Sequence, residues 1–384
     1  MRKGVTEPRI EHAALTEEAA LSPTLPGYLY HDPKIMEQEK WKIFYREWQL
    51  VGHESQLRDP GDYLTAQIVD QKIFLIRGRD GKLRAFYNVC QHRAHQLLEG
   101  QGNLRSAIIC PYHAWTYRVD GSLRTARGTE KMPGFDPNDF GLTPVRLEVV
   151  LGLLFVSLDP EASSVLAVYG GLFEDIRKAA PWLEGAVILP HAKQGNLDQS
   201  TMTANWKVMA ENCLECYHCP PAHPALADMI SVDSYRISSH GHWQKSHGDI
   251  KRFDNKAYRV PEDAAIQFVS YWHLFPNTQL GLIPGEEVMS VFTFQPRTPD
   301  QTFLKMTMLA PPGVWPSQER CNYVGEILWP EDESLCLSVH QGLRSLGYRQ
   351  GRFVVHPERP GISENGVHHF QKLYARTMDL DLAP

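Results

Sequence analysis

The spacing of apolar and polar positions divides the chain into three stretches. Ile35, Trp41, Phe44 and Trp48 recur at helical intervals and predict a helix over Lys34 to Trp48. From there to about residue 160, short runs are broken by Pro60-Gly61, Asp80-Gly81 and Asp120-Gly121, the mark of an all-β domain. Asp159 to Ser164 reads as a linker. Beyond it a helix is predicted over Tyr169 to Ala180, and a second opens at Asn205 and runs until Pro220-Pro221 stops it. The alternating stretches SYWHLF, VMSVFTF and FLKMTML then read as strands of one antiparallel sheet, and a long helix is predicted from about Glu331 to Leu346. The expected organisation is α+β: an N-terminal helical segment (1–45) packed on the last domain, an all-β domain (46–160), and a third domain (161–384) in which helices cover an antiparallel sheet.

With 384 residues, 42% hydrophobic and 22% charged, the chain has enough apolar surface for a full core divided between domains. A net charge of -6 gives no reason to expect nucleic acid or an anionic membrane as partner. Charge is scattered through MRKGVTEPRIEHAALTEEAA, which lacks the apolar core of a signal peptide, and the longest apolar run, Val149 to Val156, is too short to span a bilayer. A cytoplasmic enzyme is the expectation. Seven cysteines, an odd number mostly held in two short clusters, suit a reducing compartment in which thiols serve metals rather than disulfides.

The first cluster pairs Cys90-Gln91-His92 with Cys110-Pro111-Tyr112-His113. Two thiolates can take one iron of a [2Fe-2S] cluster and two imidazoles the other, each pair presented by a hairpin loop. Zinc accepts the same ligand types, but zinc fingers group their cysteines together and their histidines together, whereas each loop here carries one of each.

The second cluster, ENCLECYHCPPAHP at 211–224, allows two readings. Cys213, Cys216, Cys219 and His223 fall at the spacing of a ferredoxin cluster run. On a helix, however, Cys213 and Cys219 stand about 9 Å apart along the axis with their sulfurs fanned around it, so one small cluster cannot collect them; as core residues these thiols need no metal. The other reading uses Glu215 and His218, three apart on one helix face, with His223 swung back after the proline break. Two histidines and one carboxylate hold Fe(II) and leave positions open for dioxygen. The candidate carboxylate is Asp332, which Leu335, Cys336, Val339 and Leu343 follow at helical spacing; a helix-start cap at Pro330-Glu331-Asp332 is the alternative.

C-x-H-R followed by C-P-Y-H-x-W-x-Y, with Arg93, Trp115 and Tyr117 in place, resembles the Rieske domain of the Rieske-type non-haem iron oxygenases, and the similarity runs through most of the chain. The resemblance implies a helix-grip-like catalytic domain, a [2Fe-2S] cluster on Cys90, His92, Cys110 and His113, and a mononuclear iron on His218, His223 and Asp332, with Glu331-Asp332 matching the stretch that provides the third ligand. Asn205-Trp206-Lys207 and Glu211-Asn212 also match, which puts Asn212 beside Glu215 in the catalytic set. It further implies a head-to-tail homotrimer in which Glu215 links His218 to the cluster histidine of the neighbouring subunit, His113 by number. Glutamate at 215 is similar to the subgroup acting on quaternary ammonium compounds (choline, glycine betaine, carnitine and stachydrine oxygenases). Ring-hydroxylating members mostly carry aspartate there, and an enzyme for aromatic acids is the alternative. Ala94 and Ala114, where glycine is frequent, and His340, where glutamine is frequent, depart from the pattern.

The expected reaction inserts one atom of O2 into a C–H bond of a small quaternary ammonium compound, at an N-methyl or at the carbon beside nitrogen; at an N-methyl it becomes N-demethylation with release of formaldehyde. No G-x-G-x-x-G fingerprint follows a strand, so electrons are expected from a separate flavin and iron-sulfur reductase that oxidises NAD(P)H. A quaternary cation has no N–H to donate and is held by aromatic faces. Tyr217, Tyr271, Trp272 and Phe275 are the candidates, with core packing as the other role open to each.

Overall fold

The computed structural model describes residues 13–190 and 199–380. Residues 1–12 of the N-terminal segment, 191–198 and 381–384 lie outside the described residues.

In place of the single helix over Lys34 to Trp48, the segment forms Pro33–Glu39 and a wider π turn, Lys40–Phe44. Asp32 caps the first, accepting from the Lys34 N–H at 2.8 Å with Pro33 in the first turn. The wider turn sends Ile43 and Phe44 inward and leaves Trp41 64% exposed. Phe44 meets Trp206 edge to face at 5.0 Å between centroids.

The segment is also anchored by a buried charge. Glu39 accepts from Lys207 Nζ, from Tyr374 OH at 2.7 Å and from Trp206 Nε1 at 2.9 Å. Lys207 is fully buried, and burial lowers its pKa; the rings of Tyr30, Trp206 and Tyr374 lie within 5.0 to 5.2 Å of its ammonium. Such a pair holds inside a protein only when each charge has several partners, as here.

The β domain is built on a seven-stranded sheet ordered Gln49–His53, Leu153–Ser157, Pro144–Val150, Leu83–Tyr87, Gln71–Arg77, Asp62–Ile68 and Gln101–Asn103. A three-stranded sheet, Ile108–Ile109, Thr116–Tyr117 and Leu123–Thr125, packs its apolar side with Phe74, Ile76 and Phe86. The outgoing and return strands thus lie side by side, and the loops after Leu83–Tyr87 and Ile108–Ile109 stand at one end.

The third domain holds an eight-stranded antiparallel sheet. Its path runs Val187–Ile188, Gln301–Ala310, Met289–Thr298, Thr278–Leu282, Phe268–Leu274, Trp243–Asp249, Arg236–His240, with Gln199–Met202 added beside Gln301–Ala310. The three alternating stretches read from sequence are strands of this sheet, Phe268–Leu274, Met289–Thr298 and Gln301–Ala310; its middle strand, Thr278–Leu282, was not read. One face packs on Leu172–Ala179 through Phe173, Ile176, Trp272 and Leu280; the other faces the helices that carry the candidate iron ligands. The helix expected over Tyr169 to Ala180 is Leu172–Ala179, and a separate single turn, Val165–Val168, precedes it with Gly171 at φ +82° between them. No helix among the described residues is long and apolar enough to cross a membrane.

Candidate metal centres and active site

The two loops at the end of the β domain close in the same way. The Cys90 N–H donates to His95 O and the Ala94 N–H to Cys90 O; the Cys110 N–H donates to Trp115 O and the Ala114 N–H to Cys110 O, at 2.8 and 3.0 Å in each loop. Ala94 and Ala114 sit at φ +57° and +58°, the left-handed conformation for which glycine is suited. Both loops therefore keep their shape with alanine, at a backbone cost. The thiols of Cys90 and Cys110 are buried, and burial raises the Cys110 thiol, with a further contribution from Cys90 beside it. His92 and His113 are exposed with ring centroids 4.6 Å apart. Trp115 stacks on His92 and Tyr112 on His113. Tyr117 OH lies 3.2 Å from Cys90 Sγ and accepts the Gln91 N–H at 2.9 Å. A pair of sequestered sulfurs with a pair of exposed imidazoles fits the asymmetric donor set of a Rieske [2Fe-2S] cluster.

The second constellation does not sit on one continuous helix. The helix starting after Asn205 ends at Asn212 and does not reach Pro220. Asn205 caps its start, accepting the Lys207 N–H at 3.0 Å. It stops because Glu215 turns its carboxylate onto the backbone: Oε2 accepts from the N–H of Tyr217 and of His218, donors that a continuing helix would have used. The prolines do not end a helix either. Pro220 and Pro221 occupy the first turn of a new one, Cys219–Ala222, where a missing N–H costs nothing. Glu215 and His218 therefore meet across a turn, not along a helix face. The cysteines are corrected with it: the structure joins Cys216 to Cys219 in a disulfide with Cα atoms 4.9 Å apart, while Cys213 stays free and half-buried.

Asp332 lies within the helix Trp329–Gly342, which continues from a π turn, Tyr323–Leu328, so it is not a start cap. Of the residues expected on its inward face, Cys336 is buried but Val339 is 51% exposed. His218, His223 and Asp332 bring one ligand atom each within 4.8 Å of one another. Nε2 of both rings converges on Asp332 Oδ1, at 3.6 Å from His218 and 3.0 Å from His223. Each Nδ1 meets a different carboxylate: Glu215 Oε1 for His218 and Glu331 Oε2, at 2.8 Å, for His223. Burial disfavours protonation of His218, but its hydrogen bonds to Asp332 and Glu215 outweigh it and raise the pKa to about 10; the same balance raises His223. Burial works against ionisation of Asp332, yet the two histidines pull its pKa down. Two imidazoles with Nδ1 engaged and Nε2 convergent on a carboxylate fit a mononuclear Fe(II) site.

In front of this group lies a cavity of about 110 Å³. Asn212, Glu215, His218, His223 and Asp332 all line it. Of the four aromatic candidates, only Tyr271 does. Trp272 points to the opposite face of the sheet, as alternation on a strand requires, and donates its indole N–H to Asp175 at 2.7 Å. Phe275 packs in the main core against Phe370, and Tyr217 is 47% exposed. The cavity's other rings, Tyr235, Phe292, Phe294 and Trp329, come from segments distant in sequence. Gly281, paired with Tyr271, makes room for that ring: a Cβ there would lie 2.5 Å from it.

Glu331 was legible only as the neighbour of Asp332, and nothing in the pattern showed which nitrogen it would touch. His340 is buried and joins the helix Trp329–Gly342 to the turn at Asp300, 3.0 Å from Oδ1. Among the described residues no hydrogen bond or ion pair joins the cluster loops to His218, His223 or Asp332.

Comparison with known proteins agrees with both centres. The family described as Rieske [2Fe-2S] domain matches residues 47–136, and that described as Ring hydroxylating alpha subunit (catalytic domain) matches 189–380. The carnitine monooxygenase oxygenase subunit of Escherichia coli K12 is 37% identical, covering 92% of this chain and 93% of its own. The chloroplastic choline monooxygenase of Atriplex hortensis is 28% identical, covering 92% and 77%. The solved structure of a quaternary ammonium Rieske monooxygenase superposes with a TM-score of 0.86 at 32% identity, covering 95% of this chain and 100% of its own. Naphthalene 1,2-dioxygenase from Rhodococcus, at 20% identity and a TM-score of 0.78, shares the fold.

Proposed function

The chain belongs to the Rieske-type ring-hydroxylating oxygenase alpha subunits, and from that membership we propose that it hydroxylates a small quaternary ammonium compound, removing an N-methyl group. The observation that carries the reading is the cavity in which the iron ligands face Tyr235, Tyr271, Phe292 and Trp329, together with a glutamate at 215. Relatives named for carnitine and choline support the same class.

The enzyme uses a [2Fe-2S] cluster, held by Cys90, His92, Cys110 and His113 in this reading, and a mononuclear iron, held by His218, His223 and Asp332. When bound, the two centres supply single electrons and dioxygen activation, so that one oxygen atom enters a C–H bond and the other leaves as water. The chain's own residues set the geometry. Glu215 and Glu331 keep a proton on Nδ1 of each histidine and leave Nε2 free to coordinate. The apolar walls exclude water, and their ring faces hold a methylammonium head with about 0.5 to 2 kcal/mol apiece. Oxygen placed on an N-methyl carbon gives an N-hydroxymethyl ammonium; its O–H proton passes to water as the C=O forms and the C–N bond breaks with the electron pair left on nitrogen, releasing a tertiary amine and formaldehyde.

A separate reductase that oxidises NAD(P)H belongs to this proposal, as does a homotrimer that sets each cluster against a neighbour's Glu215. Glu215 is only 12% exposed at its side chain, but Tyr217 beside it and Tyr112 beside His113 are 47% and 52% exposed, as surfaces that meet a partner would be. The test is reconstitution with a reductase and NADH, followed by mass analysis of products from trimethylammonium compounds and from benzoate and naphthalene. Oxygenated or demethylated product from the first group supports the proposal. Product from the aromatic compounds alone contradicts it.

A further inference from the structure

A second cavity, of about 190 Å³, lies where the β domain meets the sheet of the third domain, and none of its described lining residues lines the iron-site cavity. Alternation along the strand Met289–Thr298 separates the two. Phe292 and Phe294 line the iron-site cavity, whereas Gln295 and Arg297 line this one. The strands Gln49–His53 and Asp62–Ile68 close it from the side of the β domain. Two cations line it, Lys305 and Arg297, both half-buried, and among its described lining residues there is no aspartate or glutamate. Lys305 makes no hydrogen bond or ion pair among the described residues. Arg297 has its guanidinium 4.9 Å over the Phe303 ring, a contact that leaves its in-plane N–H donors uncommitted. Burial lowers the pKa of both groups, and no carboxylate offsets it for either.

The sheet register puts the two cations on one patch. Phe303 pairs with Gln295 and Lys305 with Thr293, so Lys305 and Arg297 flank the Phe303–Gln295 pair on the same face. Two like charges held out of bulk water without a counter-charge are costly, and an anion that accepts hydrogen bonds from both recovers that cost. From the cavity, its two cations and the lack of a carboxylate among its described lining residues, we infer that Lys305 and Arg297 form a binding site for a small divalent oxyanion, a dicarboxylate or a phosphate, held between the two domains. A dicarboxylate would give each cation its own acceptor; a phosphate would offer both the oxygens of one centre.

The test is calorimetric titration of the holoenzyme with succinate, phosphate and acetate at constant ionic strength. Saturable binding of succinate or phosphate is expected, at least about 10-fold tighter than that of acetate, which can answer only one charge. The tighter of the two dianions tells whether separated or adjacent oxygens are read. Lys305→Met and Arg297→Gln should each weaken that binding by at least about 10-fold, and if one of them fails to fold the other carries the comparison. Asp332→Ala should bind the anion as the wild type does, because the two cavities share no described lining residue. The inference is overturned by the absence of saturable binding of either dianion, by acetate binding as tightly, or by affinity that the Lys305 and Arg297 variants leave unchanged. Binding lost in Asp332→Ala overturns it too, since the anion would then sit at the iron.

Discussion

Glu331 Oε2 lies 2.8 Å from Nδ1 of His223, while Asp332, the next residue, faces Nε2 of the same ring at 3.0 Å. Two consecutive carboxylates therefore grip opposite nitrogens of one imidazole. The first fixes its tautomer, and the second is its co-ligand in the proposed iron site. Partners of this kind are worth about 10- to 100-fold in metal affinity. Glu331→Ala should weaken iron binding by that factor with the cluster intact, and Glu331→Gln, which can still accept from Nδ1–H, should recover most of it. Iron retained after dialysis against graded chelator decides this; equal retention by wild type and Glu331→Ala would remove the role of Glu331.

Loss of a ligand should act on one centre only. Asp332→Ala is expected to keep the cluster's visible absorption and its two irons while the third is lost, because the ligand sets lie on different domains. Iron and acid-labile sulfide analysis gives the counts. Full retention of the third iron would contradict the assignment of Asp332.

Ala94 and Ala114 hold left-handed conformations that cost an alanine about 1 kcal/mol or more each, offset in part by the greater freedom of glycine in the unfolded chain. Ala94→Gly and Ala114→Gly should each stabilise the β domain by about 0.5 to 1 kcal/mol, read from denaturant unfolding followed by cluster absorption. Destabilisation would show that the loops do not carry this strain.

The two cluster loops, as a pattern, were legible in the sequence because a cysteine and a histidine two or three residues apart, repeated, is already a chemical arrangement. The same holds for His218, His223 and Asp332, which the structure gathers within 4.8 Å. The backbone between them was not legible. Helix formers before Pro220 predicted a continuous helix, yet a single side chain, Glu215, captured two backbone N–H groups and ended it, and the prolines began the next turn. Trp272 was misplaced because an apolar strand buried on both faces hides which of its residues look into the cavity. Gln279 and Tyr235 carry no local signal at all, since only the sheet register and the chain's return bring them to the cavity that His218, His223 and Asp332 line.

Burial lowers the pKa of His53 to about 4 and of His273 to about 3. Both folded values lie below the unfolded value of about 6.5, so the unfolded chain binds more protons as the pH falls. Their contribution to stability is whole above that pH and is lost as pH drops through the folded values. His273→Leu should make the fall in stability between pH 6.5 and 4 shallower by about one proton, roughly 1.4 kcal/mol per pH unit. Unfolding curves across that range that superpose for the two proteins would show that His273 is not held neutral.

The central claim, a quaternary ammonium compound oxidised at the iron of this cavity, is tested most directly by coupling. Oxygen consumed and formaldehyde formed are measured together, with reductase and NADH, for choline, carnitine and γ-butyrobetaine and for benzoate, in wild type and in Asp332→Ala. The account predicts close to one formaldehyde per O2 for at least one of the three cations, none with benzoate, and none in Asp332→Ala. Oxygen uptake coupled to benzoate hydroxylation, with all three cations inert, would contradict it.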